Sequence, residues 1–547
     1  MWIRKRLYQC VLPLAVLMGL LFSFCPLQAA TNQKLSGFMP FWGGVVDFQI
    51  SPDGRHVVYR ADQDTDQVLE LYSVRLGGGS PIRLNPLLVT GQSVEEYQIS
   101  PNGQWVVYRA DQDTDNVIEL YSVPIEGPMT AGIKLNGPLV PNGNVARFQI
   151  SPDSSRVVYR ADQEDDGVAE IFSVPISGPT GPVIKLNGNL VSGGDVSIFQ
   201  ISPDSSRVVY RADQDTDNVF ELYSVPLGGE TAGIKLNSNL VSGGDVSIFQ
   251  ISPGGNRVVY GADQDAFTRL ELYSVSINGP TGSAIKLNGP LVANGEVSEF
   301  QISPDGNWVV YQADKDIDNV FELYSVPIGG PTGSDIKLNS PLAPNRNIDS
   351  IQISPNSRRV VYRADQDTDN VGEIFSVPIE GATPGIKLNG LLLADEVVSF
   401  FLISPDSSRV VYQIFRIFDI QRRDLISVSI AGPVNGIINL SAPMTAGGSV
   451  RDFQISPDSS RVVFQADKQT AGVYELFSVP LGGPAAAVFK VNGPLATGGN
   501  AGLFQISRDS GRVIYMADQD TNDFLELYMT SNYSIHLPLI LNGGTLI

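Results

Sequence analysis

The chain predicts an all-β fold, a β-propeller of four-stranded antiparallel blades, and three observations carry that prediction. One stretch recurs ten times, in its fullest form FQISPDSSRVVYRADQDTDNVFELYSVP at 199–226. Its Ser-Pro pair falls at Ser51, Ser100, Ser151, Ser202, Ser252, Ser303, Ser354, Ser404 and Ser456, with Ser507-Arg508 in the last copy, always 49 to 52 residues apart. A fixed period of this size means a repeated supersecondary unit. Each unit also holds four short β-branched and aromatic runs separated by Asn, Asp, Gly and Pro, which is strand-and-turn chemistry. Finally, nothing after the first thirty residues shows a helical period of 3.6.

The elements follow in order within the unit that begins at Tyr97. Tyr97 to Ser100 reads as the first strand and Pro101-Asn102-Gly103 as a turn. Trp105 to Ala110 is the second strand, and Asp111 to Asn116 an acidic loop. Ile118 to Pro124 is the third strand, a Gly/Pro connection follows, and Ile133 to Asn136 is the fourth. Runs such as Val208-Val209-Tyr210 are continuously apolar because strands between neighbouring blades are covered on both faces. Four such strands in about fifty residues describe a propeller blade. An open β-solenoid is the alternative, but its repeats are usually much shorter.

The ends bear on closure. Lys34-Leu35-Ser36-Gly37 matches the fourth-strand signature Lys134-Leu135-Asn136-Gly137 but precedes the first full unit. Leu541-Asn542-Gly543 sits at the matching distance after the last one. Either terminus can therefore supply a fourth strand to the last blade and remove an exposed sheet edge. Ten blades exceed the usual four to eight. No linker interrupts the period, which favours one ring over two propellers. Leu190 to Pro203 recurs letter for letter at Leu240 to Pro253, a mark of direct duplication.

The domain reading is an export segment over 1–30, a propeller over 31–531 and a C-terminal tail over 532–547 that offers a closing strand. Arg4, Lys5 and Arg6 form a basic n-region, Val11 to Phe24 an apolar h-region, and Ala29 and Ala30 offer small residues for cleavage. The apolar run is short for a membrane span, and no later stretch approaches one. Secretion or a periplasmic address is expected, with an uncleaved N-terminal anchor as the alternative. Cys25 follows the bulky Phe24, which does not suit a lipid-anchoring signal. Cys10 and Cys25 both lie in this segment, so the mature chain is expected to have no disulfide, thiolate metal site or thiol nucleophile. Loss of the three basic residues takes the formal charge from −21 to −24. So acidic a surface argues against nucleic acid or anionic lipid as partner and favours a soluble, association-resistant particle.

The pattern Ser51-Pro52-Asp53-Gly54, Val57-Val58-Tyr59, Asp62 to Asp66 and Glu70-Leu71-Tyr72 resembles the WD40-like repeats of TolB-type propellers, over roughly residues 34 to 531. The resemblance implies the fold and, more loosely, an interaction module of the cell envelope. TolB-type proteins carry an extra α/β domain ahead of the propeller, for which there is no room here, so a Tol-system role is not carried over. Similar propellers gate prolyl-oligopeptidase-like hydrolases. That arrangement calls for a C-terminal α/β-hydrolase domain, and only a short tail follows the last unit.

The acidic loop is the one motif with chemical content. Asp-x-Asp-x-Asp is complete at Asp62/Asp64/Asp66, Asp111/Asp113/Asp115, Asp213/Asp215/Asp217, Asp314/Asp316/Asp318 and Asp365/Asp367/Asp369. Asp162/Glu164/Asp166 keeps three acids, and Asp518/Asp520/Asn522 three oxygen donors. Carboxylates two apart on a tight loop can converge on calcium. Asn116, Asn218, Asn319 and Asn370 stand where such a loop needs a residue tolerant of positive φ. The EF-hand glycine and terminal glutamate are missing, however, and a solvated Asx turn explains the same residues. The breaks at Phe267 and Ala471 suit the turn. Calcium is thus the only cofactor the sequence suggests, and even without it the loops would ring one face with charge that steers a basic partner.

Catalytic candidates are few. His56 starts a second strand where Arg156 or Trp105 stands in other copies, which predicts an exposed strand edge; His536 lies in the tail. There is no Gly-x-Ser-x-Gly elbow and no histidine cluster for zinc. A glycosidase carboxylate pair is the remaining enzymatic option, but acids repeated in every unit match a single site poorly. One unit breaks the pattern: between Tyr412 and Val428 the acidic loop gives way to QIFRIFDIQRRDLIS. Phe415, Ile417 and Phe418 bring apolar surface, and Arg416, Arg422 and Arg423 positive charge, to an otherwise acidic rim. Phe415, Arg416, Phe418, Arg422 and Arg423 are therefore the interaction candidates, with a drifted, longer hairpin as the plain alternative. The expected function is a non-catalytic module binding protein. A calcium-stabilised carbohydrate or cell-surface binder and, further off, a hydrolase are the alternatives.

Overall fold

The computed structural model describes residues 31–40, 43–127, 132–179, 182–417, 422–432 and 436–531. They form ten four-stranded antiparallel sheets in one ring, nine of them with their strands adjacent in chain order. Blade 1 spans 45–83, and the others follow at 94–134, 145–185, 196–235, 246–286, 297–337, 348–387, 396–439, 450–490 and 501–531. Blade 2 shows the plan: Val94–Ile99, Trp105–Ala110, Glu119–Pro124 and Ile133–Lys134. The last blade takes its fourth strand from the other end of the chain. Thr31–Lys34 pairs antiparallel with Glu526–Ser531, from Thr31 opposite Ser531 to Lys34 opposite Tyr528. Of the two closures the sequence allows, the N-terminal one is formed; Leu541 to Gly543 lie outside the described residues.

The first strand starts three residues before the predicted Tyr97. A register shift between Val94 and Glu96 breaks the alternation that would have revealed it. Val94 is nevertheless fully buried, and its N–H donates to Leu69 O of blade 1. The fourth strand is shorter than predicted because a side chain takes over its pairing. Asn136 Oδ1 accepts from Leu120 N at 2.8 Å, in place of a backbone carbonyl. Ser36 does the same for Leu527 in the closing strand, and Ser441 for Leu425.

Second strands are buried on both faces, as their continuous apolar runs require. Val57 and Tyr59 pack toward blade 10, against Ile514 and Leu527, while Val58 between them packs toward blade 2 with Val106 and Tyr108. Fully burying a side chain of this size contributes about 1.5–3 kcal/mol, and the pattern repeats around the ring. Within a blade the second-strand tyrosine stacks on the third-strand aromatic, as Tyr210 does on Tyr223 at 5.3 Å.

Polar struts join the seams. The glutamine of the recurring Gln-Ile-Ser reaches from one first strand to the next: Gln49 Nε2 donates to Tyr97 O, Gln200 to Phe249 O and Gln352 to Phe401 O. The same bond crosses every seam but one, including that from Gln505 back to Phe48. The exception is blade 8, where Leu402 replaces glutamine and packs into the neighbouring apolar cluster. Since first strands bond to first strands, they lie nearest the axis, and the two-residue fourth strands form the rim. The bond from Gln505 to Phe48, with the closing strand, shows that the ten units make one ring.

Candidate functional site

Antiparallel order sorts the loops onto two faces. The acidic loops and the connectors that lead into the next blade share one end of the ring, here called the acidic face. The Ser-Pro turns and the loops between third and fourth strands share the other, the turn face.

Each acidic loop sends its three carboxylates to different places. The first acid caps backbone: Asp111 Oδ1 accepts from Ser93 N at 2.6 Å and Oδ2 from Asn116 N at 3.3 Å. Asp62, Asp213, Asp314 and Asp365 do likewise, each taking the amide eighteen residues before it and that five after. The loop can turn so sharply because Asn116, Asn218, Asn319 and Asn370 adopt φ between 57° and 61°. The second acid is ion-paired to a fourth-strand cation of its own blade: Asp64 with Arg83, Asp113 with Lys134, Asp215 with Lys235, Asp316 with Lys337 and Asp367 with Lys387. That cation also neutralises a buried third-strand glutamate, Lys235 Nζ lying 2.6 Å from Glu221. Burial works to lower the Lys235 pKa, but bonds to Glu221 and Asp215 outweigh it and leave the ammonium above the ordinary lysine value. The third acids, Asp66, Asp115, Asp217, Asp318 and Asp369, are exposed. Among the described residues no group of three or more His, Cys, Asp and Glu side chains is placed to hold a metal ion.

The glutamine inside this motif is a further seam element that sequence reasoning missed. Gln214 Oε1 accepts from Tyr210 O–H and from Gly188 N of the preceding blade, both at 2.9 Å. Its signal was recurrence between two acids, masked by the more conspicuous charges. The turn-face aspartates were likewise overlooked. Asp204 accepts from Ser202 Oγ at 2.6 Å and from Ser206 N at 3.0 Å. Its slight burial would raise its pKa, but these bonds prevail and hold it below the usual carboxylate value.

The irregular unit is blade 8. Its first two strands, Glu396–Ile403 and Arg409–Arg416, are eight residues long instead of six. Phe415 lies opposite Arg423, whose guanidinium sits 5.5 Å from its ring centroid. Arg416 pairs with Glu396 at 3.0 Å and Arg422 with Asp424 at 3.5 Å. The positive charge expected here is thus largely balanced within the hairpin. Phe418 lies outside the described residues. Ile417 N donates to Asp395 O, and Leu393 N to Glu396, so the preceding connector joins the hairpin in one surface with Leu391, Leu393 and Ile417 exposed.

His56 is the clearest departure from expectation. It is buried, 4% exposed, because the strand edge is roofed by the third-strand end and loop of its own blade and by Ile125 and Glu126 of blade 2. Burial pushes its pKa below the ordinary histidine value.

No family model matches the chain, and no curated protein does. Among solved structures, a eukaryotic initiation factor is similar at 14% identity and TM-score 0.46, over 80% of this chain and 95% of that one. Porphyromonas gingivalis dipeptidyl peptidase 4 is similar at 10% identity and TM-score 0.46, over 70% of this chain and 57% of that one. A prolyl endopeptidase follows at 11% and 0.35, over 69% and 55%. The propeller assignment rests on the ten sheets themselves.

Proposed function

We propose that the chain is an exported, non-catalytic propeller that binds a protein partner of basic character through its acidic face. One observation carries the reading. Among the described residues, the exposed large apolar side chains outside the first and fourth strands all lie on acidic-face loops. Phe38, Leu87 and Val89 stand on connectors, Phe267 and Ile317 on acidic loops, and Leu391, Leu393 and Ile417 at blade 8. None lies on the turn face. Exposed apolar groups rimmed by charge mark interaction surfaces, and the third acids of the same loops, which make no ion pair among the described residues, would steer and orient a basic partner.

The TolB-type resemblance supports an interaction role, and the basic-then-apolar N-terminal pattern supports export. Among the described residues no helix is long and apolar enough to cross a membrane. The use of the first two acids of each loop in caps and ion pairs favours a structural role for them over calcium binding or catalysis. The test compares the wild-type chain with a Leu391→Ser/Leu393→Ser/Ile417→Ser variant as baits for cross-linking in a cell-envelope fraction. A partner captured by the wild type, released by salt and lost with the variant supports the reading. Equal capture by both would contradict it.

A further inference from the structure

Blade 1 departs from the repeat three times on the turn face, far from the acidic loops. His56 opens its second strand where seven other blades have arginine, six of which face a third-strand serine. In those six the arginine Nε donates to the serine hydroxyl at 2.6–2.8 Å, as Arg207 does to Ser224. Arg75 ends its third strand where every other blade has proline or serine. The loop that follows is Gly77-Gly78-Gly79-Ser80, with φ of 109° at Gly78 and 137° at Gly79, and open space where a Cβ would stand.

Together these changes leave a cavity of about 240 Å³ between blade 1 and Ile125–Glu126 of blade 2. His56 closes its back, and neither ring nitrogen has a hydrogen-bond partner among the described residues. A buried polar group without a partner is costly and calls for explanation. Across the cavity, Glu126 Oε1 lies 3.0 Å from Arg75 Nη2 and 3.8 Å from His56 Nε2. Glu126 itself is largely exposed, a side chain free to leave.

We propose that this cavity binds a small monocarboxylate, with Glu126 occupying the carboxylate position until a ligand displaces it. One ligand oxygen accepts from the Arg75 guanidinium, the other from the His56 N–H once the ring closes the remaining gap, and Ile82 and Ile125 flank the apolar part. The chemistry favours carboxylate over phosphate. One guanidinium and one neutral imidazole suit a planar monoanion, whereas a phosphate dianion would meet a single compensating charge, that of Arg75.

The chain has two histidines, so imidazole ¹H–¹⁵N spectra of the labelled protein, assigned with His536→Gln, report on His56 directly. Acetate and inorganic phosphate are the probes. Acetate is expected to shift the His56 signals saturably, with half-saturation about tenfold lower in Glu126→Gln, the competitor's charge being gone. Arg75→Pro, the repeat's own residue, should abolish the response, and Arg75→Gln serves if proline disturbs the strand. No response to acetate in Glu126→Gln, an unchanged response after loss of Arg75, or a response to phosphate alone would overturn the assignment.

Discussion

Replacing Gln200 by leucine removes one seam strut and changes no charge. Its amide works twice: Nε2 donates to Phe249 O and Oε1 accepts from Ile251 N, both at 3.3 Å, so it continues strand-like pairing from blade 4 into blade 5. Leucine is the substitute that blade 8 already uses at Leu402, so the backbone tolerates it. Two neutral hydrogen bonds contribute about 1–3 kcal/mol, and the added apolar contact of a half-buried leucine returns about 1 kcal/mol or less. The net loss is about 1–2 kcal/mol. At ~2.1 cal/mol/K per residue, unfolding entropy for about 500 residues is about 1 kcal/mol/K, so Tm falls by only about 1–2 °C. Local opening is the more sensitive readout. If the seam opens before the ring unfolds, amide exchange at 249–251 accelerates about 5- to 30-fold. Unchanged exchange at those amides would refute the assignment of these glutamines as struts.

Two further outcomes follow from the turn face. Ser202→Ala deletes a fully buried hydroxyl that accepts from Arg207 N at 2.9 Å and donates to Asp204, and denaturation should show a loss of about 1–3 kcal/mol. Asp204→Asn substitutes the residue that blades 2 and 7 carry as Asn102 and Asn356. Because the folded-state pKa of Asp204 is depressed, its ionised form stabilises the fold above the unfolded-state value and this is lost as pH falls through the folded one. The stability gap between wild type and Asp204→Asn should therefore be constant above about pH 5 and shrink below about pH 4. A gap that widens on acidification would contradict the sign.

Much of this ring was legible from its period. Ser-Pro turns, valine-valine-tyrosine strands and acidic loops occur at one spacing, and each maps to the same place in every blade that carries it. What escaped was set by neighbours in space. The start of the first strand at Val94 is hidden by a bulge, and its burial comes from an adjoining blade. Gln200 looked like an ordinary strand residue until a second first strand lay beside it. The calcium expectation came from charges adjacent in sequence, which do not show where each carboxylate is sent. The lysine that divides them, Lys235 against Asp215 and Glu221, arrives from a fourth strand some twenty residues on. His56 was misplaced for a related reason: the residues that bury it come partly from the next blade.

The first two acids of each complete loop cap backbone and pair with a cation inside the ring, and the proposed ligand recognition falls to departures from the repeat. The direct measurement is the Tm of the chain in excess calcium and in chelator, at matched ionic strength. Ligands that bind only the folded state raise it in proportion to the sites filled. The account predicts agreement within about 1 °C, less than the shift that about 1–2 kcal/mol would give. A rise of several degrees would contradict it and make the Asp-x-Asp-x-Asp loops metal sites.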